Sequence, residues 1–195
     1  MRSLSTIARA TVLFCLASAA FAQNFSSNDL SSSNVFAGYS FIGANLYTGE
    51  HADLNGWNVS AEKKYLPFFG VVADFSGHYG SKDLPASSCT GTAQVQCLVP
   101  SSVSEHYFQA GVRGSYAILR VRPFVEFLIG AVHTAESGPG LSNSKTVLEE
   151  TLAFGIDYRL TRLFGWRLDA GWVETGSFTT KQNSVRASTG LVLRF

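Results

Sequence analysis

Beyond its first two dozen residues the chain has no apolar run long enough for a transmembrane helix, so any crossing of a membrane must be made by strands. Charge of one sign is missing too: 15 basic residues stand against 14 acidic ones, which leaves no basic field for a nucleic acid partner. Cysteine is scarce, with three in all, and the four histidines show no sequence spacing typical of a metal site. Lysine is limited to five positions, Lys63, Lys64, Lys82, Lys145 and Lys181, each expected in a turn, a loop or at a strand end. A soluble protein would normally spread lysines over its water-facing wall. No sequence feature calls for a cofactor.

The opening stretch has the layout of a secretory signal. Arg2 and Arg9 form a basic start, Ala10 to Ala20 is an apolar stretch too short to span a bilayer, and Ala20-Phe21-Ala22 is a small-x-small cleavage pattern. Residues 1–22 are therefore expected to be removed, leaving a mature chain with a formal charge of about −1 once two arginines are gone. Cys15 falls inside the signal after bulky Phe14, unlike a lipid-attachment cysteine. Cys89 and Cys97 remain as an even pair in an exported chain, which favours a disulfide. Residues 23–33 are polar and serine-rich, a lead-in to the domain expected over 34–195.

From Val35 onward a period of two takes over. Val35, Ala37, Tyr39 and Phe41 share one face, and seven further apolar sets follow. They are Trp57/Val59/Ala61, Phe69/Val71/Ala73/Phe75, Phe108/Ala110/Val112, Val125/Phe127/Ile129/Ala131, Leu152/Phe154/Ile156/Tyr158, Trp166/Leu168/Ala170/Trp172 and Val185/Ala187/Leu191/Leu193/Phe195. Each predicts a strand of about ten residues, enough for a tilted crossing of a bilayer. Tight connections are expected at 63–68, 114–121 and 159–165, and longer Gly-, Ser-, Thr- and Asn-rich loops at 43–55, 80–102, 134–146 and 175–184. Short turns at one end and long loops at the other are the asymmetry of bacterial outer-membrane barrels.

Alternation alone does not say which face is wet, but the polar face does. It carries glycines, serines and ions: Glu62, Asp74, Glu126, Asp157 and Asp169 against Arg113, Arg122, Arg167 and Arg186, with Arg159 and Arg194 nearer the periplasmic rim. Small residues fit a narrow interior and arginine's fork suits carboxylates there, so this face predicts a filled, mutually neutralised lumen. The apolar face carries aromatics at both ends, Phe69, Tyr158, Trp166 and Phe195 at one and Phe41, Tyr79 and Trp172 at the other, placed as membrane-interface girdles. Ile129 is expected near mid-membrane. The fold class that follows is all-β, an eight-stranded antiparallel transmembrane barrel with an up-and-down meander.

The ending Ser188-Thr-Gly-Leu-Val-Leu-Arg-Phe195, with Thr151 to Arg159 and Arg167 to Trp172, resembles the small OmpA/OmpX-type outer-membrane β-barrel family over nearly all of 34–195. The resemblance implies an outer-membrane location, lipid as a partner, and Leu191, Leu193 and Phe195 as the signal read by the barrel assembly machinery. It implies no enzymatic activity. Two-domain relatives add a peptidoglycan-binding domain, and the chain ending at Phe195 sets an expectation of no cell-wall anchoring.

Three functions are compatible with these residues. One is a structural or surface-interaction role, with an unidentified extracellular ligand bound by loops such as 80–102. A second is a narrow, low-conductance pore. A third is a lipid-modifying hydrolase, for which Asp74, Ser76 and His78 supply a nominal orienter, nucleophile and base along one strand face. Spacings of two put neighbouring members about 7 Å apart, too far for a direct Ser76–His78 hydrogen bond. His51 belongs to a loop, while His106 and His133 have outward parity near the rim.

Overall fold

The eight alternating segments become eight strands in a computed structural model that describes residues 33–45, 51–86, 97–139, 141–176 and 182–195. They are β1 (Asn34–Asn45), β2 (His51–Leu66), β3 (Phe69–Ala86), β4 (Cys97–Ser115), β5 (Val121–Gly138), β6 (Leu141–Arg159), β7 (Phe164–Thr175) and β8 (Gln182–Arg194). Every strand is antiparallel to the next, and β8 returns to β1 to close the barrel. Ser33 and Phe195 seal the seam by exchanging backbone hydrogen bonds of 2.8 and 3.0 Å. The fold class read from the periodicity is the one observed.

Register fixes the geometry. Followed from Asn34 through Glu62, Val72, Gly111, Leu128, Thr151 and Val173, the pairing reaches Ser184, beside the Val185 that faces Gly43. One circuit therefore climbs β1 by about ten residues, a stagger that tilts eight strands by roughly 40°. Along β5 the outward positions from Val121 to Ala131 are apolar, and at about 3.3 Å per residue with that tilt they rise roughly 25 Å. That is the height of an outer-membrane hydrocarbon band.

The wall is greasy on the outside. Phe108, Phe154, Leu168, Trp172, Leu191 and Phe195 are all exposed, while the largest fully buried side chains are Arg113, Arg167 and Arg186. This inversion of a soluble core is the polarity expected from the alternating faces, and it makes the barrel a transmembrane one.

Two expectations need correction. The strands run 12 to 19 residues rather than about ten, because they continue into stretches expected to be loops. Pairing persists to Ala86↔Cys97 between β3 and β4 and to Gly138↔Leu141 between β5 and β6, so 134–146 is a hairpin. There the outward positions, such as His133 and Ser137, are no longer apolar while inward Thr134 and Glu136 are buried polar groups, so the hydrophobic alternation that reveals a strand is lost. Ile129 is also not central: it lies one outward position below Ala131 at the top of the β5 band, opposite the outward Glu150.

Phe154 is the better probe of the lipid face, since its cross-strand neighbours are Val125 and Ala170. Phe154→Arg is expected to lower stability by about 2–4 kcal/mol, the cost of a lipid-facing cation near mid-membrane, measured by urea unfolding from lipid vesicles. Ile129→Arg, with Glu150 across from it, should cost less in the same measurement.

Candidate functional site: lumen and extracellular rim

The lumen is built from inward positions of all eight strands. In its periplasmic half Arg113 of β4 donates from Nε to Glu126 Oε2 of β5 at 2.8 Å and from Nη1 to Glu62 Oε2 of β2 at 3.0 Å. Asn34 of β1 adds Nδ2 to the same Glu62 oxygen at 2.8 Å. Arg167 of β7 makes a two-pronged contact with Asp157 of β6, Nε to Oδ1 at 2.6 Å and Nη2 to Oδ2 at 3.0 Å. Planar forks of this kind are what arginine offers and lysine does not.

Aromatic rings complete this layer. The Phe124 ring lies 4.3 Å from the Arg113 guanidinium carbon and 4.9 Å from that of Arg167, and Phe36 lies 5.1 Å from the latter. Gly155 makes room for it, because a Cβ there would fall on the Phe124 ring and within 2.7 Å of Asp169 Cβ. Cation–π contacts strengthen in a desolvated site, so these inward phenylalanines belong to the ionic network.

Midway up, Arg186 of β8 donates from Nη1 to Asp74 Oδ1 and to Gln109 Oε1, both at 3.1 Å. Asn58 donates to Asp74 Oδ2 at 2.8 Å, and Gln109 Nε2 donates to Thr151 Oγ1 at 2.6 Å. Of the residues expected to pair, Glu62, Asp74, Arg113, Glu126, Asp157, Arg167 and Arg186 are thus brought together. Asp169 is buried in the same lumen without a direct ion pair among those described. Arg122 stands half-exposed near the periplasmic end of β5, opposite Asp157 in register.

Toward the outside the lumen changes character. Ile42, Ala44, Leu54, Val103, Tyr107, Val132, Val147 and Val173 form one apolar cluster, interleaved with buried Glu105, Thr134, Glu136 and Glu149, so the filling there is mixed rather than purely polar. Tyr107 ties this cluster to the ions by donating its hydroxyl to Glu105 Oε2 at 2.7 Å. Several of these positions lie in the strand extensions, where no alternation marked them as inward.

The nominal Asp74, Ser76 and His78 arrangement is not formed. His78 Nε2 is hydrogen-bonded to Ser40 Oγ of β1 at 2.9 Å, and Ser40 Oγ lies 3.1 Å from Ser188 Oγ, while buried Ser76 Oγ has no hydrogen-bond partner. Adjacent inward positions of one strand are too far apart, and a serine from β1, two strands away across the lumen, takes the histidine. Among the described residues no group of three or more His, Cys, Asp or Glu is gathered for a metal. Residues 1–22 and Cys89 lie outside the described residues, and Cys97 opens β4 opposite Ala86. Leu191 and Leu193 of β8 face outward and, with Phe195 just after it, are exposed.

No protein-family model matches the chain, and no curated protein matches it in sequence. Solved structures do match in shape. Ail of Yersinia pestis, in complex with the heparin analogue sucrose octasulfate, is 16% identical with a TM-score of 0.58, over 85% of this chain and 99% of its own. Neisserial surface protein A is 14% identical with a TM-score of 0.59, over 85% and 97%. OprG of Pseudomonas aeruginosa is 7% identical with a TM-score of 0.64, over 86% and 97%. The fold is thus that of the small OmpA/OmpX-type outer-membrane barrels.

Two outcomes test this account of the lumen. Arg167→Met should destabilise the barrel by about 3–5 kcal/mol, because it strands buried Asp157, and adding Asp157→Leu should recover much of that loss in equilibrium unfolding from vesicles. Planar-bilayer recordings of the intact chain should show no steady channel, since ion pairs below and a mixed, mainly apolar cluster above fill the lumen.

Proposed function

We propose that this chain is an integral protein of the bacterial outer membrane that serves as a surface-interaction barrel, engaging an extracellular partner through the sheet that stands above its rim. In this reading it is exported on residues 1–22 and inserted by the barrel assembly machinery, which reads Leu191, Leu193 and Phe195. A Cys89–Cys97 disulfide closes the tip of the β3–β4 arm.

The observation that carries the proposal is the unequal length of the strands. The central four, β3 to β6, have 18 or 19 residues, against 12, 16, 12 and 13 for β1, β2, β7 and β8. The excess projects outward: Gly80 to Ala86 of β3 is paired with β4 but lies beyond the last register partner from β2, Tyr79↔Asn55. At about 3.3 Å per residue this arm reaches some 20 Å along the strand direction. On the far side, β6 is in register with β7 only as far as Glu149↔Thr175.

Ser142, Asn143, Ser144, Lys145 and Thr146 are consecutive and all exposed, so this part of β6 is wet on both faces. A paired strand with a solvent-facing edge offers backbone donors and acceptors in a fixed row, the geometry that adds an extended segment from another chain. Lys145 at that edge discourages indiscriminate pairing. Support of a different kind comes from Ail, a barrel of the same fold that is named an attachment invasion protein and was crystallised with a heparin analogue.

The test uses bacteria displaying the full chain and two shortened forms, one lacking residues 84–99 and one with residues 135–144 replaced by Asn-Gly. Both should keep the heat-modifiable gel mobility of a folded barrel. Retention of immobilised extracellular proteins and sulfated glycans should fall about tenfold or more in at least one, as expected when a few anchoring contacts dominate binding. Unchanged retention by both folded variants would remove the basis of the proposal.

A further inference from the structure

The outward face at the top of the hydrocarbon band carries two histidines that the chain sequence separates and the barrel joins. His106 of β4 and His133 of β5 are direct register partners. Side chains so opposed on antiparallel strands leave the sheet on one face with Cβ atoms about 4.5–5.5 Å apart. His133 is exposed and His106 half-buried, one outward position above Phe108 and Ala131, where the greasy wall ends.

Each ring is already held by one nitrogen. His106 Nε2 is hydrogen-bonded to the Tyr79 hydroxyl at 3.0 Å, and the two rings meet edge to face at 5.5 Å. His133 Nδ1 is hydrogen-bonded to Thr146 Oγ1 at 2.8 Å. Both partners are hydroxyls, which can accept as well as donate. With Nε2–H of His106 donating to Tyr79 and Nδ1–H of His133 donating to Thr146, His106 Nδ1 and His133 Nε2 are left as lone-pair donors. A ligating histidine is characteristically fixed in this way, its second ring nitrogen held by a neighbour that sets tautomer and orientation.

We propose that His106 and His133 form a two-imidazole site for a divalent first-row transition ion, with Tyr79 and Thr146 as positioning residues. Imidazole nitrogen suits Cu²⁺, Ni²⁺ and Zn²⁺, with Cu²⁺ held most tightly by the usual order of these ions. Only two protein ligands are supplied, so water or a group from outside completes the coordination and the ion exchanges. The site faces the extracellular headgroup level, at the base of the projecting sheet, to which Thr146 also belongs.

The full chain, refolded in a non-ionic detergent, is titrated with Cu²⁺ and Zn²⁺ by calorimetry, and the Cu²⁺ form is examined by electron paramagnetic resonance. Saturation at one ion per barrel, with hyperfine structure from two nitrogens, is the expected result. His106→Gln and His133→Gln should each abolish the two-nitrogen signature. Tyr79→Phe and Thr146→Val keep both imidazoles and should weaken binding by about tenfold or more. His51→Gln should change nothing. The variants at Tyr79, His106, His133 and Thr146 sit on the outer surface, and all variants are verified as folded by heat-modifiable mobility. Absence of saturable binding by folded wild type, or binding that survives His106→Gln combined with His133→Gln, overturns the proposal.

Discussion

The constraint on which this structure depends is that a backbone inside hydrocarbon has no water to bond with, so every N–H and C=O there must find its partner within the chain. Eight strands meet that requirement only by closing, and closure at this stagger leaves a lumen about as wide as the side chains that fill it. Outer and inner chemistry then follow from strand parity. A residue one position along belongs to the opposite solvent, which is why Phe154 and Gly155, or Trp166 and Arg167, sit side by side in sequence and on opposite sides of the wall.

Filling so narrow a space with ions is costly unless the charges are met, and the three arginine forks of the lumen show how most of that is arranged. Arg113, Arg167 and Arg186 arise from three different strands, and their carboxylate partners from four others. The ion pairs therefore act across the barrel as well as between neighbours. A glycine is placed where a large group needs volume: a Cβ on Gly70 would lie 2.6 Å from Glu62 Oε1. The apolar cluster above, from Ile42 to Val173, fills its share of the space chiefly with hydrocarbon, Tyr107 alone in it pairing its hydroxyl with Glu105. Together the two layers favour a plug over a conduit.

Strand number, closure and wall polarity were legible in the sequence because a single-face hydrophobic pattern exists wherever a strand separates lipid from lumen. The ionic cluster was legible for the same reason, as the charges of one parity. Which arginine takes which carboxylate was not, because that depends on the stagger: Arg186 meets Asp74 across 112 positions of chain. The roles of Phe36 and Phe124 were also hidden, since a phenylalanine on the polar face has meaning only beside the guanidinium it covers. Above the bilayer the pattern vanished with its cause, and the long arms of β3 to β6 read as loops.

The same reasoning explains the histidines. Outward residues within the band must be apolar, and those well above it are free to be Ser, Asn or Lys; only the boundary favours a ring that is apolar in body and polar at its tip. Tyr79, His106, His133 and Thr146 fall on that boundary on four successive strands, so the tilt that sets the band's height also brings these hydrogen-bonding groups into one row. Spacing along the chain, 27 residues from His106 to His133, carries no metal signature. The register supplies one, because antiparallel pairing turns a distant pair into neighbours on one face with their orienting hydroxyls already alongside.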